Sequence, residues 1–216
     1  MATDALEVDA RAARLDDFAA AYGALARFLL GPADAELLAQ LAEPGQLEAW
    51  PLARGTDASR GLQHIAASLE AHESEEALLD DYQRLFVGPG HLLAPPYESV
   101  HRTRDRLLFD TPTFQVRAAY NEFGMRAPRF GREPDDHLGL ELSFLAHLCN
   151  VALDALEHED GDGLERALNA QKRFLTDHLL CWGGDCLRMV EANATSWFYR
   201  GVGALGLGLL CQASSW

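Results

Sequence analysis

The 216-residue sequence carries 33 acidic and 18 basic residues, which gives a net charge of −15, and 48% of its residues are hydrophobic. A chain of this size can bury one substantial apolar core, so we expect a single domain over residues 1–216, with residues 1–11 forming a flexible N-terminus. The negative charge argues against nucleic acid as a partner, because a phosphate backbone would repel it. Solubility alone and attraction of a basic peptide both remain open as reasons for the charge.

The residue types favour helices over strands. Leucine occurs 36 times, whereas valine, isoleucine and threonine together occur 15 times. The β-branched residues are the ones that fit a pleated sheet, so we expect no sheet of any size. The sequence therefore predicts an all-α fold, a helical bundle of one domain.

In the first half of the chain, apolar residues recur at spacings of three and four, which is typical of helices with one buried face. Proline and glycine end these runs at Gly31-Pro32 and at Gly88-Pro89-Gly90. Ser74 is a candidate N-cap. The pattern predicts four helices, carrying residues 15–29, 34–41, 62–69 and 78–86.

The second half begins with a segment, residues 91–100, that two adjacent prolines should hold as a loop. Thr111 and Pro112 then look like the N-cap and first residue of a helix that Gly124 ends. After a further loop the clearest amphipathic helix of the chain is expected. It carries residues 138–156, and two more helices carry residues 164–179 and 187–205.

Cysteine usage and apolar run lengths bear on where the protein resides. The four cysteines form no CxxC pair, so we expect small buried thiols in a reducing compartment. The first residues lack the apolar stretch of a signal peptide, and the longest apolar run, residues 201–211, is too short to span a bilayer. We therefore expect a cytoplasmic protein, with thiols at Cys149, Cys181, Cys186 and Cys211.

Two patterns that resemble functional motifs have simpler explanations. Residues 201–206 match the dinucleotide fingerprint GxGxxG, but no strand precedes them, so the glycines should instead let the last helix approach a neighbour closely. His178, Cys181 and Cys186 lack a fourth zinc ligand. No metal or other cofactor is expected. His147 lies among apolar residues and should be a core histidine.

Acidic residues are concentrated at three places. Residues 70–81 and 154–165 hold six acids each, and they are interpreted either as solvated helix faces or as a surface that attracts a cationic peptide. The third is the run of Glu133, Pro134, Asp135, Asp136 and His137 at the start of the best helix. An N-terminal cap would explain one aspartate but not the second acid and the histidine. We therefore interpret this run as a binding corner.

A second candidate segment holds an aromatic residue and a carboxylate beside two prolines. Such a stiffened, extended segment is an ordinary turn in many proteins. It also suits a groove for an extended peptide, because the entropy of ordering it has already been lost. The residues of this segment are Pro95, Pro96, Tyr97, Glu98, Ser99 and Val100.

Three segments in this order resemble the TorD/DmsD family of redox-enzyme maturation chaperones. They are YQRLFVGP at 82–89, PPYESV at 95–100 and EPDDHL at 133–138. The resemblance implies an all-helical cytoplasmic chaperone, not an enzyme. It would bind the twin-arginine signal peptide of a molybdopterin-containing oxidoreductase and assist cofactor insertion before export. In that family the peptide-binding residues correspond here to Tyr97, Ser99, Val100, Pro134, Asp136 and His137.

A peptide with two arginines and an apolar stretch needs carboxylates beside an apolar groove. Glu98, Glu133, Asp135 and Asp136 would supply the carboxylates, and Tyr82, Phe86 and Leu138, with Tyr97, the groove. Two alternatives stay open: an assembly chaperone of the nitrate-reductase type, whose client is not exported, and a hydrolase that uses the acids and His137. A monomer and a domain-swapped dimer are both compatible with the sequence.

Overall fold

The computed structural model of the chain describes residues 2–53, 55–128 and 133–215. Within these ranges the fold is all-α, as predicted, and an isolated antiparallel bridge joins Tyr97 and His137. Two π-helical turns, Gln83–Val87 and Leu175–Leu179, extend the helices that end at Tyr82 and Phe174. The helices are α1 (Ala2–Leu30), α2 (Ala35–Leu41), α3 (Thr56–Glu70), α4 (Glu75–Tyr82), α5 (Glu98–Arg102), α6 (Thr111–Glu122), α7 (Leu138–Glu157), α8 (Gly161–Phe174), α9 (Leu180–Asn193) and α10 (Trp197–Ala213).

The long helices pack in two antiparallel groups around a shared apolar core. Helix α7 lies between α1 and α8, while α10 lies between α3 and α9. Gly139, at the start of α7, is so close to the end of α1 that an added Cβ would lie 2.6 Å from a side-chain carbon of Leu30. This contact fixes the first turn of α7, where the acidic motif ends.

The glycines of α10 serve close helix packing, which confirms the interpretation of residues 201–206. An added Cβ at Gly201 would lie 2.9 Å from the carbonyl oxygen of Gly61 in α3. On the α9 side, a Cβ at Gly203 would lie 2.8 Å from the carbonyl oxygen of Leu187. Since real Cβ atoms do not approach backbone this closely, both helix pairs depend on glycine.

Several helix boundaries differ from the predicted ones. Residues 98–100, predicted as loop, form the first turn of α5, and the N-cap of α6 is Asp110 rather than Thr111. The expected single helix over 187–205 is broken before Ser196, which caps α10. Conversely, α8 runs through its π-helical turn directly into α9, where a break was predicted. The predicted N-cap at Ser74 is confirmed.

Three further expectations from the sequence concern the cysteines, the N-terminus and membrane-spanning segments. Cys149 and Cys186 are buried as predicted, but Cys181 and Cys211 are exposed. Helix α1 begins at Ala2 and so includes the segment that was expected to be flexible. Among the described helices, only α7 has the length and apolar composition to cross a bilayer, and 56% of the relevant stretch is buried against the rest of the molecule.

Candidate functional site

The structure brings the two candidate motifs together. The backbone N–H of Glu98 donates to the carbonyl oxygen of Asp136 at 3.0 Å, and the N–H of Leu138 donates to that of Pro96 at 2.8 Å. These bonds flank the bridge between Tyr97 and His137, so the two segments run side by side. We call this part of the molecule the corner, and it comprises residues 95–100 and 133–137.

The Asp136 carboxylate is the central link of the corner. It is fully buried, with 0% of its surface exposed. One oxygen accepts the backbone N–H of Ser99 at 2.7 Å, and the other accepts the hydroxyl of Thr113 at 2.7 Å. Asp136 therefore satisfies a free N–H group at the start of α5 and ties α5 to α6, just before α7 begins.

His137, not an aspartate, caps α7, so capping of this helix does not explain either aspartate. Its Nδ1 accepts the backbone N–H of Gly139 at 3.0 Å. An accepting Nδ1 carries no proton, and burial lowers the pKa of the His137 imidazole to about 4. The neutral ring meets Tyr97 edge to face, with centroids 5.3 Å apart. The histidine thus shapes the corner without adding positive charge to it.

Asp135 is also buried and also paired within the chain. Its Oδ2 accepts from the guanidinium of Arg117 in α6, with Nη2 at 2.6 Å and Nε at 3.0 Å. The hydroxyl of Tyr120 donates to the Asp135 carbonyl oxygen at 3.1 Å. The carboxylate that was expected to receive an arginine of a peptide therefore already holds an arginine of the protein.

Glu98 belongs to a buried group of polar side chains behind the corner. Its carboxylate, 0% exposed, pairs with Arg102 and lies 2.9 Å from Nδ1 of His178. Glu141 of α7 is equally buried and accepts the indole N–H of Trp182 at 3.2 Å. Burial and the negative charges of Glu98 and Asp136 raise the pKa of Glu141 well above its ordinary value.

Replacing Glu141 with glutamine should make the stability of the protein less dependent on pH. A raised pKa in the folded state stabilises the fold at low pH, and this stabilisation is lost as pH rises above the unfolded-state pKa of about 4.3. Glutamine cannot ionise but can still accept the Trp182 N–H. We expect the free energy of unfolding of the variant, relative to wild type, to increase from pH 5 to pH 8, by up to about 1.4 kcal/mol per pH unit.

Denaturant unfolding at both pH values measures this difference. The matched control is Glu157→Gln, which removes the charge of an exposed acid at the other end of α7. A Glu141→Gln variant whose relative stability is equal at pH 5 and pH 8 would show that Glu141 is ionised normally in the fold.

The apolar groove predicted from Tyr82, Phe86 and Leu138 is not an open surface. Their exposed fractions are 9%, 3% and 0%. The rings of Tyr82 and Phe86 pack against each other and against Tyr199 of α10. The Tyr82 hydroxyl donates to the carbonyl oxygen of Leu29 at 3.2 Å. In this conformation all three residues belong to the core, so a peptide has to find its apolar contacts elsewhere.

The outward-facing part of the corner is small. Glu133 is exposed, while Tyr97, Val100 and His137 are partly exposed and Pro134 and Ser99 are buried. Burial raises the pKa of the Tyr97 hydroxyl, and the negative charge of Glu133 raises it further, which places that carboxylate near the tyrosine. Of the four carboxylates that the sequence nominated, Glu133 is thus the one that faces solvent.

Sequence analysis missed the residues that hold these carboxylates in place. Thr113 and Arg117 lie four residues apart on α6, which puts both on the face that meets residues 135 and 136. This spacing of four residues was the signal in the sequence that could have indicated a shared role for Thr113 and Arg117. Glu141 and His178 approach Glu98 from α7 and the π-helical turn after α8, and nothing local in the sequence indicates this meeting.

The first acid-rich segment has a structural role in part. Glu73 accepts the backbone N–H groups of Trp197 and Phe198 at 2.8 and 3.1 Å. Asp81, with 1% of its surface exposed, accepts the N–H of Ser196 at 2.8 Å. Both acids therefore satisfy the N-terminus of α10, and the remaining acids of this segment are solvated.

The residues that the hydrolase alternative would use are held by separate partners within the chain. In the part of the chain that the structure describes, no three His, Cys, Asp or Glu side chains are placed to hold a metal ion. Asp135, Asp136 and His137 face three different partners, namely Arg117, the start of α5 and the start of α7.

His147, expected in the core, is partly buried, and its Nε2 lies 3.1 Å from the Phe123 carbonyl oxygen.

Comparison with known proteins identifies relatives over most of the chain. The family model described as nitrate reductase delta subunit matches residues 53–188. The DmsD Tat proofreading chaperone of Salmonella typhi is 32% identical over 163 residues, which is 76% of this chain and 70% of the relative. A probable DmsD of Haemophilus influenzae is 26% identical over 196 residues, 88% of this chain and 87% of the relative.

The chaperone protein TorD of Vibrio cholerae is 34% identical over 128 residues. This alignment covers 57% of the chain and 56% of the relative, so the chain matches little more than half the length of TorD. The relatives are named as chaperones, which implies a role other than catalysis. The region that the family model matches, residues 53–188, includes both motifs of the corner. The chain belongs to the TorD/DmsD family of redox-enzyme maturation chaperones.

Proposed function

We propose that the protein is a cytoplasmic chaperone that binds the twin-arginine signal peptide of a molybdopterin-containing oxidoreductase catalytic subunit. Binding would hold back export while the cofactor is inserted into the client. The proposal is supported by the names of its relatives, one of which is called a Tat proofreading chaperone. An anionic chain with a net charge of −15 also suits a basic peptide, because the long-range attraction speeds the encounter.

One observation supports the corner as the site where the peptide binds. The buried Asp136 joins α5, α6 and the start of α7, and Glu133 is exposed near Tyr97. The residues that the sequence predicted as peptide-binding therefore have two different roles. Asp135, Asp136, Glu98, Ser99 and Pro134 build a rigid frame, while Glu133, Tyr97, Val100 and His137 meet the peptide. A guanidinium of the peptide would pair with Glu133, and its neighbouring aliphatic carbons would pack on Tyr97.

Replacing Glu133 with glutamine should weaken binding of a synthetic twin-arginine signal peptide about fivefold. This corresponds to loss of one partly exposed, charge-assisted contact worth about 1 kcal/mol. Isothermal titration calorimetry at low salt measures the affinity, and higher salt should reduce the difference between variant and wild type.

Glu157→Gln is the matched control for this experiment, because it makes the same charge change at the far end of α7. We expect it to bind the peptide as wild type does. Equal affinities of Glu133→Gln and wild type at low salt would show that Glu133 does not contact the peptide.

The family model favours a second candidate function, since its description is nitrate reductase delta subunit. In that case the client would be a molybdoenzyme that is not exported. A peptide with both arginines replaced by lysine separates the two proposals. Arginine forms two-pronged bonds to carboxylates that lysine cannot, so a signal-peptide chaperone should discriminate between the peptides. Absence of binding to either peptide would favour the second function.

A further inference from the structure

An exposed apolar patch lies in the segment that joins α5 to α6 and in the first turns of α6. Its members are Leu107, Leu108, Phe109 and Phe114, with exposed fractions of 61%, 46%, 40% and 53%. Single exposed apolar side chains are common, but four large ones within eight residues are not explained by the packing of the molecule itself. We call these four residues the apolar patch.

The apolar patch is connected to the corner through α6. Phe114 directly follows Thr113, whose hydroxyl binds Asp136. The guanidinium of Arg117 lies 5.4 Å from the centre of the Phe114 ring and also binds Asp135. Packing between a guanidinium and a ring face restrains both side chains. The patch is therefore held at a defined position relative to the corner rather than on an unrelated surface.

The charges around these features bear on the direction of binding. Glu133 faces solvent at the corner, whereas beside the apolar patch the charges of Arg104 and Arg106 are balanced by those of Asp105 and Asp110. A guanidinium group would therefore be attracted to Glu133 but would gain no net attraction at the patch. This difference favours one orientation, with the cationic end at Glu133 and the uncharged part at the patch.

We infer that the apolar patch receives the apolar stretch of the signal peptide, while the arginines of the peptide lie at Glu133. This inference rests on the proposed function and adds to it the surface and the direction of binding. Because Tyr82, Phe86 and Leu138 are buried, the peptide needs another apolar surface, and the apolar patch would provide it. The contact area comes from an exposed surface beside the corner, not from a groove through the core.

Two peptides and two variants test this inference by calorimetry. The first peptide has the twin arginines and the apolar stretch, and the second has the same arginines with the apolar residues replaced by serine. In Leu107→Ser/Phe114→Ser we expect affinity for the first peptide to fall roughly tenfold, as the loss of two apolar contacts implies. Affinity for the second peptide should be the same in variant and wild type.

Leu79→Ser is the matched control, because Leu79 is an exposed leucine, 39% accessible, on α4. It should bind both peptides as wild type does. A second variant, Arg104→Glu/Arg106→Glu, tests the direction of binding. It should bind the first peptide at least as well as wild type, and a weaker affinity would overturn the proposed orientation.

The failure of this inference can be distinguished from failure of the proposed function. If wild type binds neither peptide, the proposed function fails and the inference falls with it. If wild type binds the first peptide and the serine variant binds it equally well, only the inference is overturned. The same holds if the serine substitutions instead abolish association with anionic vesicles or self-association seen by sedimentation.

Discussion

Asp136→Ala is expected to reduce the free energy of unfolding by roughly 3–5 kcal/mol. The substitution leaves the backbone N–H of Ser99 and the hydroxyl of Thr113 buried without their acceptor. Each such group costs about 1–3 kcal/mol when unpaired, and the contact between α5, α6 and the start of α7 is lost as well. Urea unfolding followed by circular dichroism measures the change.

Asp110→Ala provides the comparison, because Asp110 is the cap of α6 and its bonds are exposed. We expect that variant to lose about 1 kcal/mol, which is typical of a cap. A loss below 1 kcal/mol for Asp136→Ala would contradict the role assigned to the buried carboxylate. The result also decides how binding data are interpreted, since weaker peptide binding by Asp136→Ala would follow from damage to the corner without any direct contact.

Gly203→Ala should destabilise the protein by about 3 kcal/mol. The new methyl group would lie 2.7 Å from the backbone nitrogen of Glu191 and 2.8 Å from the carbonyl oxygen of Leu187. Both are backbone atoms of α9, so no side chain can rotate out of the way and the two helices have to separate. Overpacking of this kind costs about 1–3 kcal/mol and more where backbone must move. Thermal unfolding measures the loss.

The same substitution at Gly23 should have the opposite sign. Gly23 lies inside α1, and nothing lies within 4 Å of the Cβ that alanine would add. Alanine is the better helix former by about 0.5–1 kcal/mol, so we expect Gly23→Ala to stabilise the fold by that amount. If both variants change stability equally, the close contact between α9 and α10 is not what requires Gly203.

Local signals in the sequence predicted much of the helical structure. The N-cap predicted at Ser74 is confirmed: its hydroxyl accepts the backbone N–H of Ala77, three residues later. Such a contact is local and does not depend on distant parts of the chain. Some of the boundaries that were wrong depend on distant residues. The break before Ser196 is stabilised by Asp81, more than a hundred residues earlier in the chain, and no window around residue 196 contains that information.

In the corner, too, some features follow from the sequence and others depend on distant residues. The order of the three motifs along the chain was enough to predict the family, and the comparisons confirm it. It was not enough to say which carboxylate faces solvent. Asp135 and Asp136 are adjacent acids of the same type, yet one binds Arg117 and the other binds the start of α5. Their partners come from other helices, whose approach only the packing of the whole chain determines.

The sequence by itself determined the all-α class, the close-packing role of the α10 glycines and the family. These follow from composition, from periodicity and from motif order, all of which are local or additive along the chain. Tertiary structure alone decided that His137 caps α7, that Tyr82, Phe86 and Leu138 are core residues, and that Glu133 is exposed. Exposure and pairing depend on which surfaces of distant helices meet, and that is a property of the folded molecule rather than of any segment.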